Sequence, residues 1–170
     1  FLSHPIESGF AASSDGKNIA WIINDHGKRN IVVKTGFDIP RLLTDYQQDD
    51  GQEISQLTFT PNGTKLLFVR GGAQNRNGQS PNPSSLTEGA EMAIYYKEIL
   101  SKSPPSKITQ GSSPLIFKDG IRFLFSKDGQ IYESPMDINA VPKLLFVARG
   151  SNSSPKFSPN GQEVLFTSDR

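Results

Sequence analysis

The chain of 170 residues contains no cysteine, which rules out disulfide bonds and thiolate metal sites within it. It also lacks any apolar run near the ~20 residues of a membrane-spanning helix. Its 18 basic and 17 acidic residues leave a formal charge of only +1, so total charge gives no reason to expect nucleic acid or a membrane as a partner. With two histidines and no zinc or calcium spacing, we expect no metal and no cofactor.

Glycine and proline are plentiful, at 15 and 12 residues, and they mark a repeat. Four phrases share a short strand, a polar turn with glycine and an apolar strand: AASSDGKNIAWIIND, LTFTPNGTKLLFVRG, LIFKDGIRFLFSKDG and PKFSPNGQEVLFTSD. Their turn glycines are Gly16, Gly63, Gly120 and Gly161. In Pro61-Asn62-Gly63 proline presets φ, asparagine tolerates the next position and glycine supplies a positive φ. We therefore predict short hairpin loops closed by a bulge.

Further strand-like runs follow the first three hairpins, and four strands per ~40–50 residues are typical of a β-propeller blade. They are NIVVKT and RLLT, MAIYYKEI and KITQ, QIYESPM and KLLFVA. We predict an all-β fold, a partial β-propeller of four-stranded antiparallel blades, with almost no helix because no segment keeps a 3.6-residue period. A plain antiparallel sandwich is the alternative.

We predict one domain over residues 1–170, with blades at about 9–45, 54–110, 112–149 and an incomplete one at 152–170. About three and a half blades indicate an open part of a larger ring. A first residue other than Met likewise favours a longer gene product. The alternative is a closed four-blade ring in which residues 1–8 add an outer strand. The Gly, Asn, Ser and Pro of residues 71–90 predict a mobile insertion.

Large apolar side chains in the repeat are expected to pack between adjacent blades, each contributing ~1.5–3 kcal/mol on burial. They are Ile19, Trp21, Leu57, Phe59, Leu67, Phe123, Phe125, Phe157 and Phe166.

Catalytic residues are not expected in this chain. A serine hydrolase of the α/β type needs Gly-x-Ser-x-Gly, and the nearest match, Gly78-Gln79-Ser80-Pro81-Asn82, lacks the second glycine. We interpret His4 and His26 as solvated residues rather than as a general base or metal ligands.

A binding role is more plausible for one acidic stretch. Asp49, Asp50 and Glu53 place three carboxylates within five residues, where they could pair with a peptide ammonium group or with a partner's arginine. The same stretch could instead cap a turn and fix a blade junction through backbone N–H bonds, or dock another domain. Arg70 is either an ion-pair partner between blades or a contact to a substrate carboxylate. Because the loops after the second and fourth strands of a blade share one face, we expect residues 24–27, 45–53, 71–90 and 148–152 to gather there.

The closing SPNGQEVLFTSDR resembles the TolB-like propeller repeat. Longer stretches, HPIESGFAASSDGKNIAWIINDHGKRNIVV, RLLTDYQQDDGQEISQLTFTPNG and LLFVRGG, resemble the N-terminal propeller of bacterial prolyl oligopeptidase-family serine peptidases of the dipeptidyl-aminopeptidase and acylaminoacyl-peptidase type. Two departures are mild: asparagine replaces the usual turn aspartate at Asn62 and Asn160, and KDG replaces the full phrase at residues 118–120.

This resemblance implies a non-catalytic propeller that restricts substrate entry to a separate α/β-hydrolase domain. It also implies a peptide substrate and that hydrolase domain as partners, and a periplasmic or secreted location. The alternative is a stand-alone TolB-like propeller that acts as a periplasmic protein-interaction module. A carbohydrate-active propeller has little support, because only one tryptophan is present and no paired catalytic carboxylates are evident. Open blade edges also allow a homodimer.

Overall fold

The computed structural model describes residues 5–72, 82, 85, 87 and 90–170. Fourteen β-strands form the regular structure of these residues. The first sheet holds β1 (Ile6–Ala12), β2 (Asn18–Asp25), β3 (Lys28–Thr35) and β4 (Arg41–Leu42). The second holds β5 (Ile54–Phe59), β6 (Lys65–Arg70), β7 (Ala93–Glu98) and β8 (Ser106–Gln110). The third holds β9 (Ser112–Ile116), β10 (Arg122–Lys127), β11 (Gln130–Pro135) and β12 (Lys143–Leu144). The fourth holds β13 (Asn152–Phe157) and β14 (Val164–Ser168).

Each sheet is an antiparallel meander in which every strand pairs with its neighbour in sequence. Three sheets have four strands and the fourth has two, as predicted for about three and a half blades. The described residues contain no helix, and so no helix among them is long and apolar enough to cross a membrane. The all-β prediction is confirmed, and the sandwich alternative is wrong because these are four successive separate sheets.

The sheets stack face to face. Because successive side chains of a strand point to opposite faces of its sheet, one strand can pack against two neighbouring sheets. Leu66 and Phe68 of β6 pack with Ile22 and Val33 of the first sheet. The intervening Leu67 and Val69 pack with Phe123 and other residues of the third sheet. The central strand of the second sheet is therefore buried on both faces.

The predicted core residues divide by position in the stack. Phe59, Leu67, Phe123 and Phe125 are buried between sheets, as predicted. Partly buried aromatic rings pack between the third and fourth sheets. The ring centroids of Phe117 and Phe157 lie 4.7 Å apart, and those of Phe146 and Phe166 lie 4.8 Å apart. The prediction is wrong for Ile19, which is 44% exposed, because it points to the side of the first sheet opposite to the second.

The four glycine turns share one hydrogen-bonding scheme. In the second, the Gly63 N–H donates to Thr60 O at 2.8 Å and the Thr60 N–H donates to Lys65 O at 2.9 Å. Equivalent bonds occur in the other three turns, and all four glycines have φ between 69° and 73°. Asn62 Oδ1 accepts from the Thr64 N–H at 3.2 Å, the role that Asp15 and Asp119 fill in their own turns. The asparagines therefore substitute for aspartate as acceptors.

A bulge occurs in the first strand of every sheet, near the point where successive sheets meet. The residues with positive φ there are Gly9, Gln56, Ser113 and Ser154. Gln56 Oε1 accepts from the Ser113 N–H at 2.6 Å, which links the second and third sheets. Bulges re-aim a strand and increase its twist.

The loops fall on two faces. We define the turn face by residues 13–17, 60–64, 117–121 and 158–162, together with the loops 36–40, 99–105 and 136–142. The two sets adjoin, because the N–H groups of Gly36, Ile99 and Met136 donate to carbonyls of Lys17, Thr64 and Ile121 in the glycine turns. The opposite end of each sheet forms the loop face, which carries residues 25–28, 43–53, 70–72, 128–129 and 145–151.

The closed-ring alternative is not what the described residues form. Glu7 and Ser8 pair with Ile23 and Ile22 of the first sheet rather than with the fourth. Most of the predicted insertion at 71–90 lies outside the described residues, so its mobility stays a prediction.

Candidate functional site

The acidic stretch 45–53 lies on the loop face, where it crosses from the first sheet to the second. The exposed carboxylate of Asp49 lies 3.4 Å from Arg29 Nη1 of β3. A Cβ at Gly27 would come within 2.0 Å of Asp49 Oδ2, so the β2–β3 turn and this stretch are in close contact. The predicted meeting of residues 24–27 with 45–53 is therefore present.

Asp50 and Arg70 form an ion pair at the end of β6. The Arg70 guanidinium also lies over the ring of Tyr46, 4.2 Å from its centroid, a cation–π geometry. Burial raises the pKa of the Tyr46 phenol to about 12, although the Arg70 charge opposes this shift. Arg70 Nε is buried without a hydrogen-bond partner among the described residues. The pair thus fixes the junction of two sheets in a largely dry setting.

Both aspartates also cap the local backbone. Asp49 Oδ1 accepts from the Gly51 N–H at 3.2 Å, and Asp50 Oδ1 accepts from the Gln52 N–H at 3.0 Å. Glu53 differs, because its side chain is exposed while its carbonyl accepts from the Gly71 N–H at 2.9 Å. These contacts are those expected for a turn that fixes a blade junction. Ligand binding by Asp49, Asp50, Glu53 and Arg70 stays a prediction.

Arg29 and Tyr46 belong to this junction and were not among the predicted site residues. Arg29 is the second residue of the third strand of the first sheet, and its partner Asp49 lies 20 residues further along the chain. No local spacing rule connects two such positions. The sequence offered one signal, the rule that the loops after the second and fourth strands of a blade share one face. That rule placed the β2–β3 turn beside the acidic stretch but did not identify the side chains in contact.

The histidines and the serine motif add no catalytic group to this region. His26 lies exposed in the β2–β3 turn with its Nδ1 2.6 Å from Asp25 Oδ1, which agrees with a solvated turn residue. His4 lies outside the described residues, as does the Gly78–Pro81 part of the imperfect serine motif. Within the described ranges, no group of three His, Cys, Asp or Glu side chains could hold a metal ion.

Solved structures provide the matches of this chain to known proteins. No protein-family model matches the chain, and no curated protein matches it either. TolB from Acinetobacter baumannii matches 95% of this chain with a TM-score of 0.65 and 20% identity. A putative TolB from Agrobacterium tumefaciens matches 99% with a TM-score of 0.59 and 20% identity. A structure from a study of two prolyl endopeptidases matches 95% with a TM-score of 0.60 and 11% identity.

This chain spans only part of each of these proteins: 37% and 56% of the two TolB chains and 26% of the endopeptidase chain. At these identities the likeness concerns the fold. Three four-stranded sheets and one two-stranded sheet follow one another in the chain and pack face to face. Together with this likeness, they give the chain the fold of a TolB-like β-propeller.

Proposed function

We propose that the chain is the non-catalytic, substrate-gating propeller of a serine exo- or oligopeptidase. In this proposal it restricts which peptides reach a separate α/β-hydrolase domain, and the protein is periplasmic or secreted. The described residues are strands and loops and contain no α/β-hydrolase domain. In this proposal the α/β-hydrolase domain belongs to another part of the protein or to a partner.

The observation that carries this proposal is the likeness of 95% of the chain to part of a prolyl endopeptidase structure. The sequence resemblance to peptidase propellers supports it independently, because it rests on the DYQQDDGQE and VRGG phrases as well as on the repeat. These phrases supply the Asp50–Arg70 pair and the Arg70–Tyr46 stacking at the junction of the first two sheets.

Within the acidic stretch, the exposed side chains are the candidates for substrate contact. Asp49 and Glu53 are exposed, whereas the carboxylate of Asp50 is held by Arg70. A peptide ammonium group would gain a charge-assisted hydrogen bond from such a carboxylate. In the complete enzyme, Glu53→Gln should therefore raise KM with little change in kcat, whereas Asp50→Asn should lower stability.

A stand-alone TolB-like propeller is the second candidate. The TM-score of 0.65 to TolB from Acinetobacter baumannii favours it. In that case no hydrolase domain exists, and the function is to bind another protein.

One experiment separates the two. Antibodies raised against this chain would precipitate the native protein from cells that produce it, and a fluorophosphonate probe would then label any activated serine. We expect a labelled protein much larger than the 18.7 kDa of this chain. An unlabelled protein that co-precipitates a stable partner would favour the interaction module and overturn the peptidase proposal.

The isolated chain should not hydrolyse aminoacyl or dipeptidyl p-nitroanilides, since it lacks a Gly-x-Ser-x-Gly elbow. Absorbance assays would measure the rate against a buffer blank. Turnover that a serine-directed inhibitor abolishes would contradict this expectation.

A further inference from the structure

We propose that the turn face is a membrane-binding surface. It binds an anionic lipid bilayer, with the apolar loop tips inserted at the lipid–water interface. The near-zero total charge gave no reason to expect this. The placement of side chains on the two faces does.

The three equivalent loops between third and fourth strands all carry exposed apolar side chains. Phe37 is fully exposed, and Ile39 and Leu100 are 87% and 88% exposed. Ile138 and Val141 of the third loop and Ile121 of the adjoining glycine turn are also exposed. Five such side chains on these three loops, and a sixth on the adjoining turn, would each gain free energy on leaving water.

These loops are brought to the same face by the fold. Each is hydrogen-bonded at its start to the glycine turn of its own sheet. The turns are in turn linked to one another: Asn18 Nδ2 donates to Gly63 O at 3.3 Å, and Lys118 Nζ donates to Pro159 O at 3.3 Å. A Cβ at Gly120 would lie 3.3 Å from Pro61 Cδ, which joins the second and third turns. The apolar tips therefore project from one continuous surface.

Cations surround these tips. Among the described residues, Lys34, Arg41, Lys102, Lys118 and Lys143 lie on or beside the turn face and form no ion pair. The carboxylates of the same face without a cationic partner are Asp38, Asp137 and Glu163. Basic residues close to a membrane are attracted by anionic headgroups. The excess of cations over carboxylates without an ion-pair partner therefore favours such a surface, although Arg41 and Lys118 each donate to a backbone carbonyl.

The arrangement fits a bilayer better than a protein partner. A protein interface normally has one contiguous apolar centre with a polar rim. Here the apolar side chains stand singly or in pairs on separate loops with polar turns between them. A fluid interface accepts separated insertions, and its affinity rises with the apolar area inserted and with attraction to anionic lipid.

The test is co-sedimentation of the chain with vesicles of phosphatidylethanolamine and phosphatidylglycerol, and with vesicles of phosphatidylcholine alone. We expect binding to the anionic vesicles and weaker binding to the zwitterionic ones. The double variant Phe37→Asp, Ile39→Asp should lower the anionic-vesicle affinity roughly tenfold or more. Because both side chains are exposed, the variant should fold normally, which circular dichroism would verify.

Val147→Asp is the matched control. Val147 is 86% exposed but lies on the loop-face side of the third sheet, so this variant should bind vesicles as the wild type does. Failure of the wild type to sediment with anionic vesicles would overturn the proposal, as would an equal loss in the control. Equal binding to phosphatidylcholine would overturn the anionic assignment. Loss of self-association in the double variant without vesicle binding would assign the face to a second copy of the chain.

Discussion

Single residues with positive φ set the shape of this molecule. The turn glycines adopt φ values near 70°. Residues with a Cβ adopt such values only at a cost in conformational free energy. Their surroundings differ, since a Cβ at Gly63 would lie 3.2 Å from Asn18 Nδ2 of the neighbouring sheet, whereas a Cβ at Gly16 would have nothing within 4 Å. The two positions therefore separate backbone strain from contact between sheets.

Gly63→Val should lower the free energy of unfolding by ~1–3 kcal/mol, because a β-branched residue resists positive φ and also crowds Asn18. Gly16→Val carries the strain alone and should cost less. Urea unfolding of both variants measures the difference. Unchanged stability in Gly63→Val would mean that the glycine conformation does not matter for the fold.

Tyr46 makes stability sensitive to alkaline pH. Its pKa is raised by burial from 10.0 to about 12. Between these values the unfolded chain loses the phenolic proton while the folded chain keeps it, so stability falls as the pH rises. The loss attributable to Tyr46 is on the order of 2 kcal/mol.

Tyr46→Phe should therefore lose less stability than the wild type between about pH 8 and pH 11, as measured by urea unfolding. An ultraviolet difference titration of the wild type against Tyr46→Phe offers a second check, since the absorbance step that is missing from the variant should lie near pH 12. A missing step near pH 10 instead would contradict the burial argument.

At the scale of elements, side-chain amides extend the short fourth strands. β4 and β12 have two residues each, although RLLT and KLLFVA predicted longer runs. In the first sheet, Asn30 Nδ2 donates to Tyr46 O at 2.9 Å while its Oδ1 accepts from the Tyr46 N–H at 2.7 Å. In the third sheet, Gln130 Nε2 donates to Ala148 O at 3.2 Å. The chain beyond each short strand is thus still tied to the sheet.

Asn30→Ala should lower the free energy of unfolding by ~1–3 kcal/mol. It leaves the part-buried N–H and C=O groups of Tyr46 without their partner and removes the acceptor of the Thr44 hydroxyl proton, although that hydroxyl still accepts from the Ile31 N–H. Gln130→Ala is the matched comparison and should cost less than ~1 kcal/mol, since Gln130 Oε1 is already buried without a partner. Thermal or urea unfolding of both variants tests this order. A larger loss in Gln130→Ala would contradict it.

The sequence predicted elements better than their details. Turn glycines and alternating apolar runs carry local signals, so the hairpins and the sheet count could be predicted. The bulges at Gln56, Ser113 and Ser154 could not, because neither glutamine nor serine signals a positive φ. The Arg29–Asp49 contact depends on how two separate loops meet. Local sequence therefore indicates the sheets, and packing between sheets decides the candidate site.

At the scale of the whole molecule, both ends of the stack expose apolar surface. Ile6, Phe10 and Ile19 are exposed on the first sheet. Leu165 on β14 and Val147 beside it are exposed at the other end. β14 pairs only with β13 among the described strands, and unpaired edges of this kind recruit other strands.

We predict that the isolated chain self-associates, most simply as a two-fold dimer in which the open sheet edges meet. Leu165→Lys should dissociate it, because Leu165 is 73% exposed and an edge lysine opposes strand pairing. Light scattering of the two proteins over a range of concentrations is the measurement. A wild-type chain that remains monomeric throughout would contradict the prediction.

The pairing of every strand with its neighbour in sequence has a mechanical consequence. Hydrogen-bonded ladders stay within sheets, while successive sheets meet through side-chain packing and scattered polar links such as that of Gln56 with Ser113. Under tension applied at its two ends, the chain should yield one sheet at a time, with each step releasing roughly 3.3–3.6 Å per residue. The fourth sheet, with its single strand pair, should unfold first. The propeller would therefore extend in separate steps, one for each sheet.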